Sequence, residues 1–330
     1  MHNLQHILII RFSSIGDIVL TTPIARALKK KYPLATIHFL TKKTYAPLLQ
    51  NSPYISHLHT IEKSISELKD DFKSIRFDAV IDLHKNRLSR KVKGFFNVPA
   101  YSYNKRNIDK WILVNLKINR MHNEHIVDRY FQSIAMLGVI NDEEGLDYFL
   151  TEQDEVNLSS MFSFDYKDYV VVAIGAQHAT KQIPTLKLIE IIQQCFNPVV
   201  LIGGEEDRSK AQDILSGLVN KKVISTCGEL TLSQSAAVIK NSRCILTGDS
   251  GMMHVAAALK KKIISVWGST VPEFGMTPYY GKNSNPNSVI IENKNISCRP
   301  CSKLGHSACP KKHFNCMLSI NSKEVATYLN

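Results

Sequence analysis

The sequence predicts an α/β protein built from two successive doubly wound domains, each a parallel sheet with helices on both faces. Three observations point there. Short apolar runs alternate with amphipathic stretches, the pattern of βαβ units. A polar, acidic segment at 141–168 breaks that rhythm once, and the rhythm then restarts. The 330 residues suit about two domains at roughly 150 residues each. The expected domains are therefore 1–150 and 151–330.

In the first half, apolar runs place strands at 7–11, 36–40, 57–61 and 79–83. Helical spacing falls at 24–31, 45–50 and 65–75, and 107–140 reads as mainly helical. In the second half, strands are expected at 169–174, 199–202, 222–225, 244–247 and 263–267. Helices are expected near 185–195, 205–218, 232–240 and 251–259. The two halves share a rhythm but no repeated sequence. In such sheets ligands bind beyond the carboxyl ends of the strands, so the chemistry should lie in residues just after them.

Composition excludes several classes. With 44% hydrophobic and 21% charged residues, 15 Gly and 12 Pro, the chain is neither disordered nor collagen-like. No window approaches the roughly 18 to 20 apolar residues of a membrane span. The opening MHNLQHILIIRF lacks the charged start and small-residue cleavage site of a signal peptide and reads as a first strand. A cytoplasmic protein is expected. The net charge is +12, and residues 1–140 hold 22 basic and 10 acidic residues against 19 and 19 in the remainder. One half of the chain thus carries the whole positive excess, which suits an anionic partner such as a phosphorylated lipid or an anionic membrane face. No zinc-finger or RNP-type signature accompanies the basic residues, so a nucleic-acid partner is not expected.

Four segments follow strands. The first is Arg11-Phe12-Ser13-Ser14-Ile15-Gly16-Asp17, where Gly16 permits a tight turn and Asp17 stands near a helix start. A helix-capping role competes for Asp17. The G-x-G-x-x-G of dinucleotide folds and the P-loop are both absent, which argues against nicotinamide dehydrogenases and P-loop kinases. The second is Thr247-Gly248-Asp249-Ser250-Gly251-Met252-Met253-His254, opening an apolar helix. Its exposed N–H groups and positive dipole end suit a diphosphate, and His254 lies one turn in, with a packed core histidine as the competing role. The third, Gly175-Ala176-Gln177-His178-Ala179-Thr180-Lys181, supplies a mobile cation in Lys181. The fourth, Gly203-Gly204-Glu205-Glu206-Asp207, offers acids that accept from sugar hydroxyls or simply favour a helix N-terminus.

These motifs, in this order and at this separation, resemble glycosyltransferase family 9, the ADP-heptose:lipopolysaccharide heptosyltransferases. R-F-S-S-I-G-D-I-V-L-T-T-P and G-D-S-G-M-M-H-V-A-A-A-L are the specific parts, with T-K-Q-I-P, G-G-E-E-D and E-L-T-L-S-Q-S-A-A-V-I between them. The resemblance spans nearly the whole chain. It implies a GT-B fold of two Rossmann-like domains facing a cleft, the first taking the acceptor and the second the ADP-sugar. It implies Asp17 as general base and Arg11, Ser13, Ser14 and Gly16 beside the reacting centre. It implies Lys181 on the diphosphate, both for binding and for catalysis. Asp249, Ser250, Gly251, Met252 and His254 form the implied donor loop. Glu206 (or Glu205) is the implied hydroxyl contact, and Leu230 and Thr231 the implied nucleotide-pocket segment. The chain departs from the family in reading Asp249-Ser250-Gly251 for D-T-G. It also has Ala176 and Gln177 where some members have two threonines, and Ile183 for a tryptophan. These departures bear on the donor sugar rather than on the reaction.

The implied partners are an ADP-sugar, a phosphorylated lipid-linked glycan and the inner membrane surface, with no cofactor required for catalysis. Arg87, Arg90, Lys91 and Lys93, after the strand ending Asp82-Leu83-His84, are candidate acceptor contacts. Four of the seven cysteines cluster late as Cys298-x2-Cys301-x7-Cys309-x6-Cys316, a candidate structural zinc site, with free thiols and disulfides as the other readings. Three other functions compete: a GT-B transferase with another nucleotide-sugar and acceptor, a non-catalytic sugar-nucleotide or lipid binder, and a zinc-bearing nucleic-acid binder. Retention of both Asp17 and Lys181 speaks against the non-catalytic binder.

Overall fold

A computed structural model describes residues 4–68, 72–161, 168–282, 284 and 286–330. The chain divides into two compact units. Unit 1 comprises Met1–Lys105, Glu124–Phe149 and Gly281–Asn283; unit 2 comprises Arg106–Asn123, Leu150–Tyr280 and Ser284–Asn330.

Unit 1 is a five-stranded sheet of β1 (His6–Ile10), β2 (Thr36–Lys42), β3 (His57–Ile61), β4 (Ala79–Asp82) and β5 (Ala100–Ser102), in the order β3-β2-β1-β4-β5. Every pairing is parallel, with Ile7 opposite Ile37 on one side and Ala79 on the other. Ile7, Leu8, Ile9 and Ile10 are all fully buried, as a central strand covered on both faces requires. One face packs Leu8, Ile10, Phe12, Leu40, Val80 and Val92. Unit 2 is a six-stranded parallel sheet of β6 (Val170–Ala173), β7 (Val199–Ile202), β8 (Val223–Ser225), β9 (Cys244–Gly248), β10 (Lys262–Trp267) and β11 (Val289–Glu292). Its order is β11-β10-β9-β6-β7-β8. The C-terminal helix Ser322–Leu329 closes its core, where Val325 and Leu329 join Leu188, Ile192 and Met317.

Several local expectations change. The stretch expected as helix at 45–50 is a 3₁₀ turn, Lys43–Leu48, with Pro47 inside it; proline lacks the N–H an α-helix needs. At 65–75 a 3₁₀ turn occupies Ile65–Leu68, and residues 69–71 lie outside the described residues. The strands β5 and β11 and the helix Arg87–Lys93 were not anticipated. Residues 107–140 hold two main helices, Asn107–Leu116 and Ile126–Ser133, and these belong to different units.

That last point overturns the charge reading. The basic stretch 106–123 packs into unit 2, whereas the acidic stretch 142–147 is clamped onto unit 1. Arg26, almost fully buried, donates to both carboxylate oxygens of Asp142 at 2.9 Å and to the Gly145 carbonyl at 2.7 Å, and it pairs with Asp147. Burial opposes the charge on Asp142, but Arg26 and Lys30 outweigh it and hold its carboxyl well below the usual range. Unit 1 therefore carries 19 basic and 13 acidic residues and unit 2 carries 22 and 16, a net +6 each. The +12 of the first 140 residues belongs to the chain, not to one folded half.

Candidate active site

In unit 1 the turn after β1 leads through buried Arg11 and Phe12 to Ser14, the N-cap of the helix Ile15–Val19. Asp17 sits three residues beyond the cap. Its carboxylate accepts from the Ser14 N–H at 3.2 Å and the Ser14 hydroxyl at 2.9 Å, so the capping role is real. The other carboxylate oxygen meets Arg11 Nη2 at 2.5 Å. Arg11 is itself anchored: Nε donates to the Ser13 carbonyl at 2.9 Å, and Nη1 donates to the Leu83 carbonyl and lies 3.4 Å from the Tyr130 hydroxyl. Burial opposes the Arg11 charge, yet Asp17, Tyr130 and Tyr103 more than offset it and raise its pKa well above the usual value. The Arg11 side chain is 8% exposed and that of Asp17 is 23%. The cation is scaffold and the carboxylate keeps a face to solvent. Gly16 is buried within the turn, and Ser13 and Ser14 are half-buried.

Asp82, at the end of the neighbouring strand, organises the next turn. It accepts from the N–H groups of His84 and Lys85 and from the Ser89 hydroxyl, and it pairs with Lys93 at 3.1 Å. Arg87 and Arg90 project from the helix Arg87–Lys93 and are exposed. His84 is a further member of this corner. Burial, Arg11 and Lys105 push its pKa down to about 4, against the opposing pull of Asp17 and Asp82. Tyr103, Tyr130 and His84 carried no motif. Only the rule that residues after strands matter could have found His84.

In unit 2 the third and second motifs meet. Lys181 Nζ lies 2.7 Å from Asp249 Oδ2, which also accepts from the Thr270 hydroxyl at 2.7 Å. Gly248 is required here, since a Cβ would stand 2.1 Å from the Lys181 carbonyl oxygen. Asp249 is 9% exposed at its side chain and Lys181 19%, the reverse of the unit 1 pair. Ser250 occupies the N-cap position of the helix Gly251–Ala258, its hydroxyl bonded to the Thr247 hydroxyl at 2.8 Å rather than to the helix backbone. Gly251 and Met252 are half-buried in its first turn, and His254 is 2% exposed within it.

Glu206 lies on the 3₁₀ turn Glu205–Asp207 and lines an open pocket of about 400 Å³ with Gln182, Ile183, Thr185, Lys210 and Phe314. Glu205 instead pairs with Arg208 at 2.8 Å. Lys210 ties the Lys181 loop down through the Ile174 and Ile183 carbonyls and the Gln182 side chain, at 2.9 to 3.1 Å. Burial lowers its pKa to about 8. Thr231 caps the helix Leu232–Asn241, accepting from the Gln234 N–H at 3.2 Å. Leu230 and Thr231, like Lys181 and Asp249, lie outside the residues lining this pocket.

The cysteine segment packs directly on these loops. His306 exchanges hydrogen bonds with Thr180, Cys301 N–H donates to the Ser269 carbonyl at 2.9 Å, and Arg299 holds the Gly268 and Thr270 carbonyls. Burial and the neighbouring Cys298 raise the Cys301 thiol to about 11. Burial and the thiols of Cys301, Cys298 and Cys309 do the same to Cys316. Among the described residues, no group of three or more His, Cys, Asp or Glu side chains is arranged to hold a metal ion.

The profile of glycosyltransferase family 9 (heptosyltransferase) matches residues 65–310. The chain belongs to this family. It is thereby a glycosyltransferase. It is 25% identical over 293 residues to lipopolysaccharide heptosyltransferase 2 of Salmonella typhimurium, covering 81% of this chain and 84% of that one. It is 26% identical over 305 residues to lipooligosaccharide heptosyltransferase 2 of Haemophilus ducreyi, covering 84% and 87%. Among solved structures it superposes on the E. coli ADP-heptose lipopolysaccharide heptosyltransferase II with a TM-score of 0.74 at 22% identity, covering 99% and 98%. A second E. coli heptosyltransferase, solved with ADP, gives 0.70 at 18% identity, covering 98% and 99%. The family-9 chain accordingly has the GT-B fold class, with two Rossmann-like α/β units.

Proposed function

We propose that this glycosyltransferase moves a heptose, or a related sugar, from an ADP-sugar to a lipopolysaccharide core acceptor, with inversion at the anomeric carbon. The observation that carries the reading is the pair of aspartate–cation corners, each just after a central strand, in a chain of this family. An acceptor hydroxyl attacks the anomeric carbon, forming the new C–O bond as the bond to the diphosphate oxygen breaks. The electron pair leaves with ADP, and Asp17 takes the hydroxyl proton. Arg11 and Ser14 hold that carboxylate in place. Lys181 exchanges Asp249 for the diphosphate, and the N-terminus of Gly251–Ala258 adds its dipole to the growing negative charge. Glu206 contacts sugar hydroxyls.

The acceptor in this proposal is lipid-linked and phosphorylated, so the enzyme works as a peripheral protein at the cytoplasmic face of the inner membrane. No helix among the described residues is long and apolar enough to cross a membrane. The proposal includes a structural zinc at Cys298, Cys301, Cys309 and Cys316 that would have to assemble on metal binding: the four thiols lie close enough to shift one another but are not arranged to hold an ion. About one equivalent of metal in protein purified under reducing conditions supports it; four titratable thiols and no metal remove it.

The test of the activity is incubation with ADP-heptose and heptose-deficient lipopolysaccharide core, reading ADP release and product mass together. Transfer from ADP-heptose supports the reading. Transfer from another nucleotide-sugar only would reassign the donor, and no transfer from any donor would reject the function.

A further inference from the structure

The helix Asn107–Leu116 has two apolar faces. On one, Leu113 is buried and packs with Met121, Val271 and Phe274. On the other, Ile108, Trp111 and Leu116 are 76%, 59% and 56% exposed, and Ile118 just beyond is 49% exposed. At about 100° per residue, Ile108, Trp111, Ile112 and Leu116 share an arc of about 140°. A single exposed apolar residue is ordinary, but several on one helix face, here with exposed Asn115 among them and Ile112 half-buried, mark a contact surface.

Charge decides what it contacts. Residues 106–120 hold four cations, Arg106, Lys110, Lys117 and Arg120, against one carboxylate, Asp109. Lys117 also fastens the helix end to unit 2 through the carbonyls of Val114, Cys298 and Pro300, so the strip is rigidly mounted. We propose that this face docks on an anionic lipid bilayer, with Trp111 and the aliphatic side chains in the headgroup boundary, exposed Arg120 on a lipid phosphate, and the net positive charge of the segment drawing it to the surface, while Lys117, Arg106 and Lys110 keep their contacts within the protein. A protein–protein contact is the weaker fit, because the cores of such interfaces are depleted of lysine and other charges. The inference deepens the proposed function and rests on its lipid-linked acceptor, which an enzyme must meet at a membrane.

The protein carries its own reporter. It has two tryptophans, and Trp267 is 1% exposed, so a change in emission on binding comes from Trp111. The full chain is titrated with vesicles of phosphatidylcholine alone and of phosphatidylcholine with phosphatidylglycerol. A blue shift and co-flotation with the anionic vesicles only, weakened several-fold by salt, are expected. The double variant Ile108→Gln/Leu116→Gln keeps the reporter and should lose at least tenfold in vesicle affinity with unchanged thermal unfolding. Arg120→Glu should weaken binding without touching the apolar strip. No shift on anionic vesicles, or wild-type binding by the double variant, overturns the proposal. So does a shift that follows protein concentration without vesicles, which would assign the face to a second copy of the chain. Transfer to a soluble, deacylated core fragment separates the two claims. If the wild type transfers to it but ignores vesicles, this inference alone fails; if it transfers to no acceptor, the activity reading fails.

Discussion

After β1, Asp17 meets Arg11 at 2.5 Å; after β9, Asp249 meets Lys181 at 2.7 Å. The two pairs invert each other. In unit 1 the cation is the buried member, at 8% against 23% for its acid; in unit 2 the acid is, at 9% against 19% for its cation. The buried member in each case is fixed by other partners: Arg11 by the Ser13 and Leu83 carbonyls, Asp249 by the Thr270 hydroxyl. The exposed member is the one a substrate can reach. A shared device, an ion pair at a strand end, thus presents a proton acceptor in one unit and a cation in the other.

The strongest test breaks the exposed acid. Asp17→Asn should keep the Ser14 cap and lower kcat by about 10³-fold or more, with the donor KM nearly unchanged. Steady-state kinetics with both substrates varied would show this, and near-normal turnover would remove Asp17 from the proton-accepting role. Next comes the exposed cation. Lys181→Met should cost about 10²-fold in kcat/KM and should also weaken ADP binding, measured by calorimetry. Unchanged ADP affinity would separate Lys181 from the diphosphate.

Breaking a buried member should read out in folding as well as rate. Arg11→Met leaves the Leu83 carbonyl and Asp17 without their cation, so a loss of about 3 kcal/mol in denaturant unfolding is expected. Acid sharpens the contrast between the units. In unit 1, His38 is 2% exposed, donates or accepts with His6 and His59, and stacks on His57. Burial, with His59, His57 and His6, lowers its pKa to about 3. The unfolded chain takes up this proton near pH 6.5 and the folded one near 3. Stability from His38 is therefore complete above 6.5 and falls by about 1.4 kcal/mol per pH unit below it. The depressed base of unit 2, Lys210 near 8, contributes no slope in that window. Hydrogen exchange at pH 4 to 5 should open unit 1 before unit 2, and His38→Asn should flatten the acid limb. The smallest effect is at a supporting bond: Thr270→Val removes one hydrogen bond to Asp249 and should shift the donor KM by only about fivefold.

Much of the fold was legible because central parallel strands are unbroken apolar runs. Those at β1, β6, β7 and β9 could be placed nearly to the residue, and the site segments follow β1, β6, β7 and β9. Two of the four edge strands were not legible, β5 and β11, the first having three residues and no apolar run; the other edges, β3 and β8, were expected at 57–61 and 222–225. The membership of Asp17, Lys181 and Asp249 in a site came from motifs, whereas their partners did not. Arg11 reaches Leu83 and Tyr130 across 72 and 119 residues, and no local pattern carries that.

Sequence alone determined the α/β class, the family and the strand-end segments that bear the chemistry, because hydrophobic period and turn residues act over a few neighbours. Tertiary structure decided which half of each ion pair stays exposed. It also decided that the basic stretch at 106–123 joins unit 2 while the acidic one at 142–147 joins unit 1, dividing the charge evenly. Burial and ion pairing depend on contacts made across a hundred residues, which form only when the chain has folded.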